Sequence, residues 1–234
     1  MEKIKEEVPE KLRIAVLLSF ISGYINAFTY NNAGELFAGA QTGNVIFMAL
    51  HFAKGNLEKA VEFLIPIISF MIGQIFIYCF RNFFQRRGHK GYIHSSLLML
   101  FIMIMLIVFL PFFDYHFIVV TLAFFAAIQS DTFQRLRGFS YATIMMTGNV
   151  KNAPRLLIEG LVQRDRELLV RGFLLFLIIF SFMLGVGMST YFTQFVKKSA
   201  LVPLILPLSY INYVLFKEEH NVIDVVKSKI RKIK

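Results

Sequence analysis

The chain has no tryptophan, one cysteine and six prolines in 234 residues, and only 17% of its residues are charged. Each shortage excludes something. A lone cysteine, Cys79, rules out an intramolecular disulfide and any cysteine metal cluster. Set in an apolar run, it is expected to be a small buried hydrophobe. The five histidines show no metal-site spacing, and His51, in an apolar stretch, is expected to be packed or interfacial. Without tryptophan, interfacial anchoring falls to tyrosine and phenylalanine. No phosphate-binding glycine loop, nucleophile elbow or paired catalytic carboxylate is present. The chain is therefore not expected to be an enzyme or to need a cofactor.

What is abundant is apolar. Hydrophobic residues make up 56% of the chain, and the mean hydropathy is +0.61. A chain of that composition belongs in a lipid bilayer. The net charge of +10 does not point to nucleic acid, because the basic residues gather at the ends of apolar runs and so set topology. The first apolar run is not followed by a convincing cleavage site and is expected to remain as a membrane helix.

A spanning helix needs roughly 20 predominantly apolar residues. Six segments qualify: Ile14 to Tyr30, Val61 to Phe80, Ile93 to Phe113, His116 to about Phe133, Leu168 to Phe195, and Leu201 to Phe216. Between the first and second lies Gln41-Thr42-Gly43-Asn44, and between the fourth and fifth lies Met146-Thr147-Gly148-Asn149. Each triplet opens a helix-like piece too short to span unaided. A continuous helix over Gly34 to Ala53 would raise the count to eight, but it would place the cluster Arg81, Arg86, Arg87 and Lys90 outside, against the positive-inside bias. Six spans with both termini cytoplasmic fit the loop charge.

The triplets lie 105 residues apart, and Ser69-Phe70-Met71-Ile72-Gly73 returns as Ser181-Phe182-Met183-Leu184-Gly185, 112 apart. The halves are therefore read as repeats, about 13–113 and about 115–216, within a single membrane domain, followed by a basic cytoplasmic tail over 217–234. Some seven extra residues are expected within Lys151 to Leu168. Three spans per half is an odd number, so the second half is expected upside down, the inverted-repeat plan of many transporters. The fold class is all-α and polytopic: six transmembrane helices in two inverted three-helix repeats, each with a broken helix beginning at Thr-Gly-Asn.

Polar residues amid lipid-compatible sequence are costly unless buried in protein or lining a cavity. Thr42 and Asn44, and likewise Thr147 and Asn149, can cap free backbone N–H groups, while Gly43 and Gly148 allow close approach. A half-helix N-terminus in low dielectric suits an anion or a polar group. The same residues can instead only brace the broken helices. Within the spans, Asn26, Gln41, Gln129, Ser130 and Asp131 join the candidate set, and the 105-residue spacing lays Asn26 over Asp131. An intramembrane Asp is a candidate proton carrier, or the partner of Arg135 four residues on. Gln41, Gln74 and Gln129 are expected to bond between helices, and Gly73, Gly185 and Gly187 to permit close packing.

Gly23-Tyr24-Ile25-Asn26-Ala27, Gln41-Thr42-Gly43-Asn44, Ala127-Ile128-Gln129-Ser130 and Met145-Met146-Thr147-Gly148-Asn149 together resemble the YoaK-like family of small bacterial membrane proteins, from about Arg13 to Phe216. The resemblance implies a six-helix inner-membrane protein with no assigned substrate. The chain departs from the family pattern at Asn26, where Asp is usual, and at Ser130, where Asn is usual, so a carboxylate-dependent step would fall to Asp131. The favoured reading is a secondary transporter or channel for a small polar or anionic solute, its site between the two broken helices. The alternative is a non-transporting assembly partner or sensor. The expected partners are the bilayer, a small solute or ion and a second copy of the chain in a homo-oligomer, and no nucleic acid.

Overall fold

Backbone inside lipid must satisfy its own hydrogen bonds, and helices do so within one segment. The computed structural model describes residues 8–217, so the basic tail expected beyond Lys217 lies outside the described residues. The helices are α1 Leu12–Asn32, α2 Gln41–Ala53, α3 Leu57–Arg86, α4 Gly91–Val108, α5 Tyr115–Thr132, α6 Met146–Gln163 and α7 Arg166–Val196. A 3-10 helix, Lys197–Leu204, leads into α8, residues 205–217. A two-residue hairpin, β1 Arg135–Leu136 and β2 Phe139–Ser140, stands between α5 and α6 and turns at Arg137 and Gly138, both with positive φ. Sequence periodicity gave no sign of that hairpin.

Among the described residues, four stretches are long and apolar enough to cross a membrane: α1, α3, α4 and Arg166–Lys217, which contains α7 and α8. The protein is thus all-α and of membrane type. At 13 residues, α2 is only about 20 Å long. A continuous helix from Gly34 is ruled out, because Gly34 and Glu35 take positive φ and the backbone stays irregular as far as Gln41. α6 has 18 residues, five more than α2, and carries Lys151, Arg155 and Glu159. Most of the extra length expected after Lys151 is therefore helix.

The helices cross-pair: α1 packs on α7 and α3 on α5. Small residues set the approach. A Cβ on Gly23 would collide with the Phe182 carbonyl, one on Gly185 with that of Phe20, and one on Gly73 with Ala127 and the Phe124 carbonyl. Gly187, expected to serve the same end, faces open space. Hydroxyls reinforce the pairs: Ser181 Oγ donates to the Val16 carbonyl at 2.7 Å and Ser69 Oγ to that of Val120 at 2.7 Å. Contacts advance together along each pair (Val16 with Ser181, Asn31 with Thr190; Ser69 with Val120, Gln74 with Ala127), so partners run in the same direction. α1 and α5 run oppositely, with Gln129 against Leu18 and Ser22, and with Ala126 and Asn26 both beside Gly39.

Around this frame α4 and α8 close the core through Met99, Met103, Leu208 and Ile211, and Asn212 Nδ2 donates to the Ser96 carbonyl at 3.3 Å. The Tyr24 hydroxyl donates to the Ala200 carbonyl. The outer faces are apolar, with Met71 60% and Met183 56% exposed, as suits lipid. Cys79 is exposed on α3, correcting the expectation that it is buried. It lies on the outward side, whereas Ile77 faces the core.

Candidate functional site

The lead-in to α2 is clamped from α1 and from α2 itself. Asn26 Oδ1 accepts from the N–H groups of Gly39 at 2.8 Å and Ala40 at 3.0 Å, while its Nδ2 donates to the Ser22 carbonyl at 2.8 Å. Thr29 Oγ1 accepts from the Ala38 N–H at 3.1 Å. Asn44 Oδ1 accepts from the Phe37 N–H at 3.0 Å, and its Nδ2 donates to the Phe37 carbonyl at 2.8 Å and to Gln41 Oε1 at 2.9 Å. Gln41 Nε2 donates to the Ala38 carbonyl at 2.8 Å. Four successive backbone N–H groups, 37 to 40, are thus satisfied by side chains, which lets irregular chain sit among apolar helices.

The second lead-in repeats part of this pattern. Asn149 Oδ1 accepts from the Ala142 N–H at 3.2 Å and its Nδ2 donates to the Ala142 carbonyl at 2.7 Å, the Asn44 and Phe37 geometry displaced by 105 residues. Met146 Sδ, 3.5 Å from Asn149 Nδ2, takes the place of the Gln41 amide. The helices, however, match at a spacing of 104: Val16 and Phe20 on α1 are met as Val120 and Phe124 are on α5. Asn26 therefore corresponds to Ser130 and not to Asp131, and the second lead-in holds one residue more. The shorter Ser130 makes no side-chain hydrogen bond among the described residues. The N–H groups of Thr143, Ile144 and Met145 likewise find no partner among them.

The two lead-ins meet. A Cβ built on Gly39 would lie 2.5 Å from Ile144 Cγ2 and 3.3 Å from Asn26 Nδ2. Asn44 and Asn149 are buried, each bound to its own lead-in, whereas Thr42 and Thr147 are exposed and make no side-chain hydrogen bond among the described residues. Gly43 lies against the Phe37 ring, and Gly148 has open space around it. Gln129 is fully buried. Its Nε2 donates to the Leu18 carbonyl at 3.0 Å and to Ser22 Oγ at 2.7 Å, leaving Oε1 unpaired. Gln74 bonds the Ala127 carbonyl at 3.2 Å, so both glutamines link helices as expected. Gln41 acts only within its own lead-in.

Asp131 Oδ2 pairs with Arg81 Nη1 at 2.6 Å, and the same nitrogen donates to the Asp131 carbonyl at 2.8 Å. Arg135 is not its partner, because α5 ends at Thr132 and the chain turns into the hairpin, so residue 135 no longer lies one helical turn away. Arg81 had no individual signal in the sequence beyond the charge of its loop. Beside the pair is a cavity of about 450 Å³ lined by Glu10, Arg81, Tyr92, Asp131, Thr132 and Arg135, among others. The Gly138 N–H donates to Glu10 Oε2 at 2.7 Å, and the Arg137 N–H donates to the Glu10 carbonyl, which docks the short 3-10 turn Val8–Glu10 on the hairpin.

The family described as protein of unknown function, DUF1275, matches residues 14–213, most of the chain. The chain belongs to that family. No curated protein and no solved structure matches it.

Proposed function

We propose that this member of the DUF1275 family is a secondary transporter or channel for a small polar or anionic solute, built from six spans in two inverted repeats. The observation that carries this reading is the meeting of Gly39 with Ile144, equivalent positions in two lead-ins to interrupted helices. Equivalent residues touch only at a pseudo-two-fold axis, and in inverted-repeat transporters the solute site lies where broken helices face each other across that axis. The opposed directions of α1 and α5, and the cross-pairing of α1 with α7 and α3 with α5, support inversion.

In this reading α5 is the fourth span, α2 and α6 are re-entrant, and the hairpin and the α3–α4 turn face the cytoplasm of a bacterial inner membrane. The solute faces the second lead-in, whose N–H groups at 143 to 145 are open, more than the first, where Asn26 and Thr29 already fill the corresponding places. No enzymatic step is included.

A second reading has its own support. Complete satisfaction of residues 37 to 40 is what pure bracing of the fold requires, as in a non-transporting assembly partner or sensor. Flux into proteoliposomes separates the two, with a panel of labelled small carboxylates, amino acids and polyols measured against protein-free vesicles. Entry of at least one solute above the protein-free rate, lost in Gly39→Leu, is expected. A folded, reconstituted protein that passes none of them leaves only bracing.

A further inference from the structure

The outward face of α3 ends in a groove of about 550 Å³ lined by Tyr78, Cys79, Asn82, Phe83, Arg86 and Arg87. Helix spacing sets its shape. Residues 78, 82 and 86 form one ridge and 79, 83 and 87 the next, so the groove follows the helix axis for about 13 Å.

Its chemistry grades from one end to the other. Arg86 and Arg87 stand at the C-terminal end, both exposed and neither in an ion pair among the described residues. The Arg87 guanidinium carbon lies 3.9 Å from the centroid of the Phe83 ring. The ring covers one face of the guanidinium and leaves its in-plane N–H donors free. Next come the Asn82 amide and the exposed Tyr78 hydroxyl, without hydrogen-bond partners among the described residues. Beyond them the face is apolar, with Met71, Ile72 and Ile75 each more than half exposed.

Depth and charge agree with that gradient. The run Val61 to Phe80 is about 30 Å long, the thickness of the hydrocarbon core. Asn82 to Arg87 then fall in the headgroup layer, with Tyr78 and Cys79 just beneath it. No acidic residue lines the groove. The C-terminal end of α3 contributes roughly half a negative charge, which two guanidiniums outweigh. A free anion would use only the cationic end, whereas an amphiphile with an anionic head uses the whole groove.

We propose that this groove binds an anionic phospholipid of the leaflet that faces the α3–α4 turn. Its phosphate is held by Arg86 and Arg87, its ester region lies beside Asn82 and Tyr78, and one acyl chain runs along Cys79 and Ile75. The site stands apart from the meeting of the two lead-ins and does not depend on transport, so its test reads binding alone.

The purified full chain in uncharged detergent is titrated with phosphatidylglycerol or phosphatidylcholine. Two quantities are followed: the thermal unfolding midpoint, and the rate at which Cys79, the single cysteine and exposed in the groove, reacts with a maleimide. Phosphatidylglycerol is expected to raise the midpoint and slow the reaction with one saturating dependence, and phosphatidylcholine at the same mole fraction to do neither. Arg86→Gln with Arg87→Gln is expected to weaken the apparent affinity roughly thirtyfold, the share of two basic residues at a membrane surface. Phe83→Leu, which releases Arg87, is expected to weaken it about two- to fivefold. Should the double substitution fail to fold, Phe83→Leu decides alone, and wild-type affinity there would overturn the site. Equal effects of the two lipids, or protection of Cys79 that survives loss of both arginines, would also overturn it. The same response to glycerol phosphate, which has no acyl chain, would assign the arginines to a soluble anion and overturn the proposal as stated.

Discussion

Gly39 and Ile144, which stand 105 residues apart as the two Thr-Gly-Asn triplets do, touch each other where the lead-ins to α2 and α6 meet. A methyl at Gly39 would stand 2.5 Å from Ile144 Cγ2, so Gly39→Ala must displace a buried side chain. Overpacking of this kind costs about 1–3 kcal/mol. Gly39 has no positive φ, so the strain is steric and relievable. Ile144→Ala, which alone leaves a void, is expected to absorb the new methyl. Unfolding midpoints of the double variant should fall less than the two single losses combined, and simple additivity would show that the residues do not press on each other.

Asn26 supports two backbone N–H groups with one oxygen. Asn26→Ala leaves both unpaired, the Gly39 N–H buried and the Ala40 N–H partly so, at about 1–3 kcal/mol each. Asn26→Asp keeps the acceptor and, protonated at this buried site, can still donate to the Ser22 carbonyl, so it is expected to be the milder change. The complementary substitution is Ser130→Asn, whose amide can reach toward the N–H groups that Ser130 leaves open. A gain of about 0.5–1.5 kcal/mol per neutral hydrogen bond is expected, read by chemical unfolding. A loss on Ser130→Asn would mean that position has no room for the larger side chain.

Helix positions were legible because runs of apolar residues near 20 are hard to mistake, and because Thr-Gly-Asn cannot continue such a run without a polar partner. The partners were harder to see. Thr29 reads as an ordinary small residue of α1, and its bond to Ala38 depends on how the chain folds back. The correspondence of Asn26 with Ser130 was hidden because the triplets give 105 and the helices 104. Only packing at the Phe20 and Phe124 carbonyls shows that the extra residue lies between helix and triplet. Arg81 is one basic residue in a basic cluster, and its pairing with Asp131 needs α3 and α5 side by side.

That pairing predicts where Asp131 is coupled. Both side chains are partly exposed, 28% for Arg81 and 21% for Asp131, so screening limits the effect to roughly 1 kcal/mol. A double-mutant cycle of Asp131→Asn with Arg81→Met should return an interaction of that order, and the cycle with Arg135→Met should return none. Coupling to Arg135 instead would restore an arrangement in which α5 continues beyond Thr132.

Topology is open to direct labelling once Cys79, exposed on α3, is replaced by serine. Single cysteines at Lys54, after α2, and at Lys197, after α7, should react with an impermeant maleimide from outside, and a cysteine at Arg86 only after permeabilisation. Outside reactivity at position 86 would sink the six-span arrangement.

Asn44 and Asn149 offer the sharpest separation of bracing from solute binding. Each bonds the backbone of its own lead-in, Phe37 or Ala142, and they share no partner. Alanine at either strands a partly buried N–H and carbonyl, so each should destabilise by about 1–3 kcal/mol. Residues without common contacts contribute independently, so the double variant should lose the sum within about 0.5 kcal/mol. Binding of a transported solute is expected to behave otherwise. If the open N–H groups of the second lead-in and the helix ends beside Gly39 and Ile144 grip one solute, either substitution loosens the same complex, and the second removes less than the first. Additive stability with sub-additive loss of solute affinity, measured on the same four proteins, is therefore the expected pair of results, and additivity in both would assign the two asparagines to the fold alone.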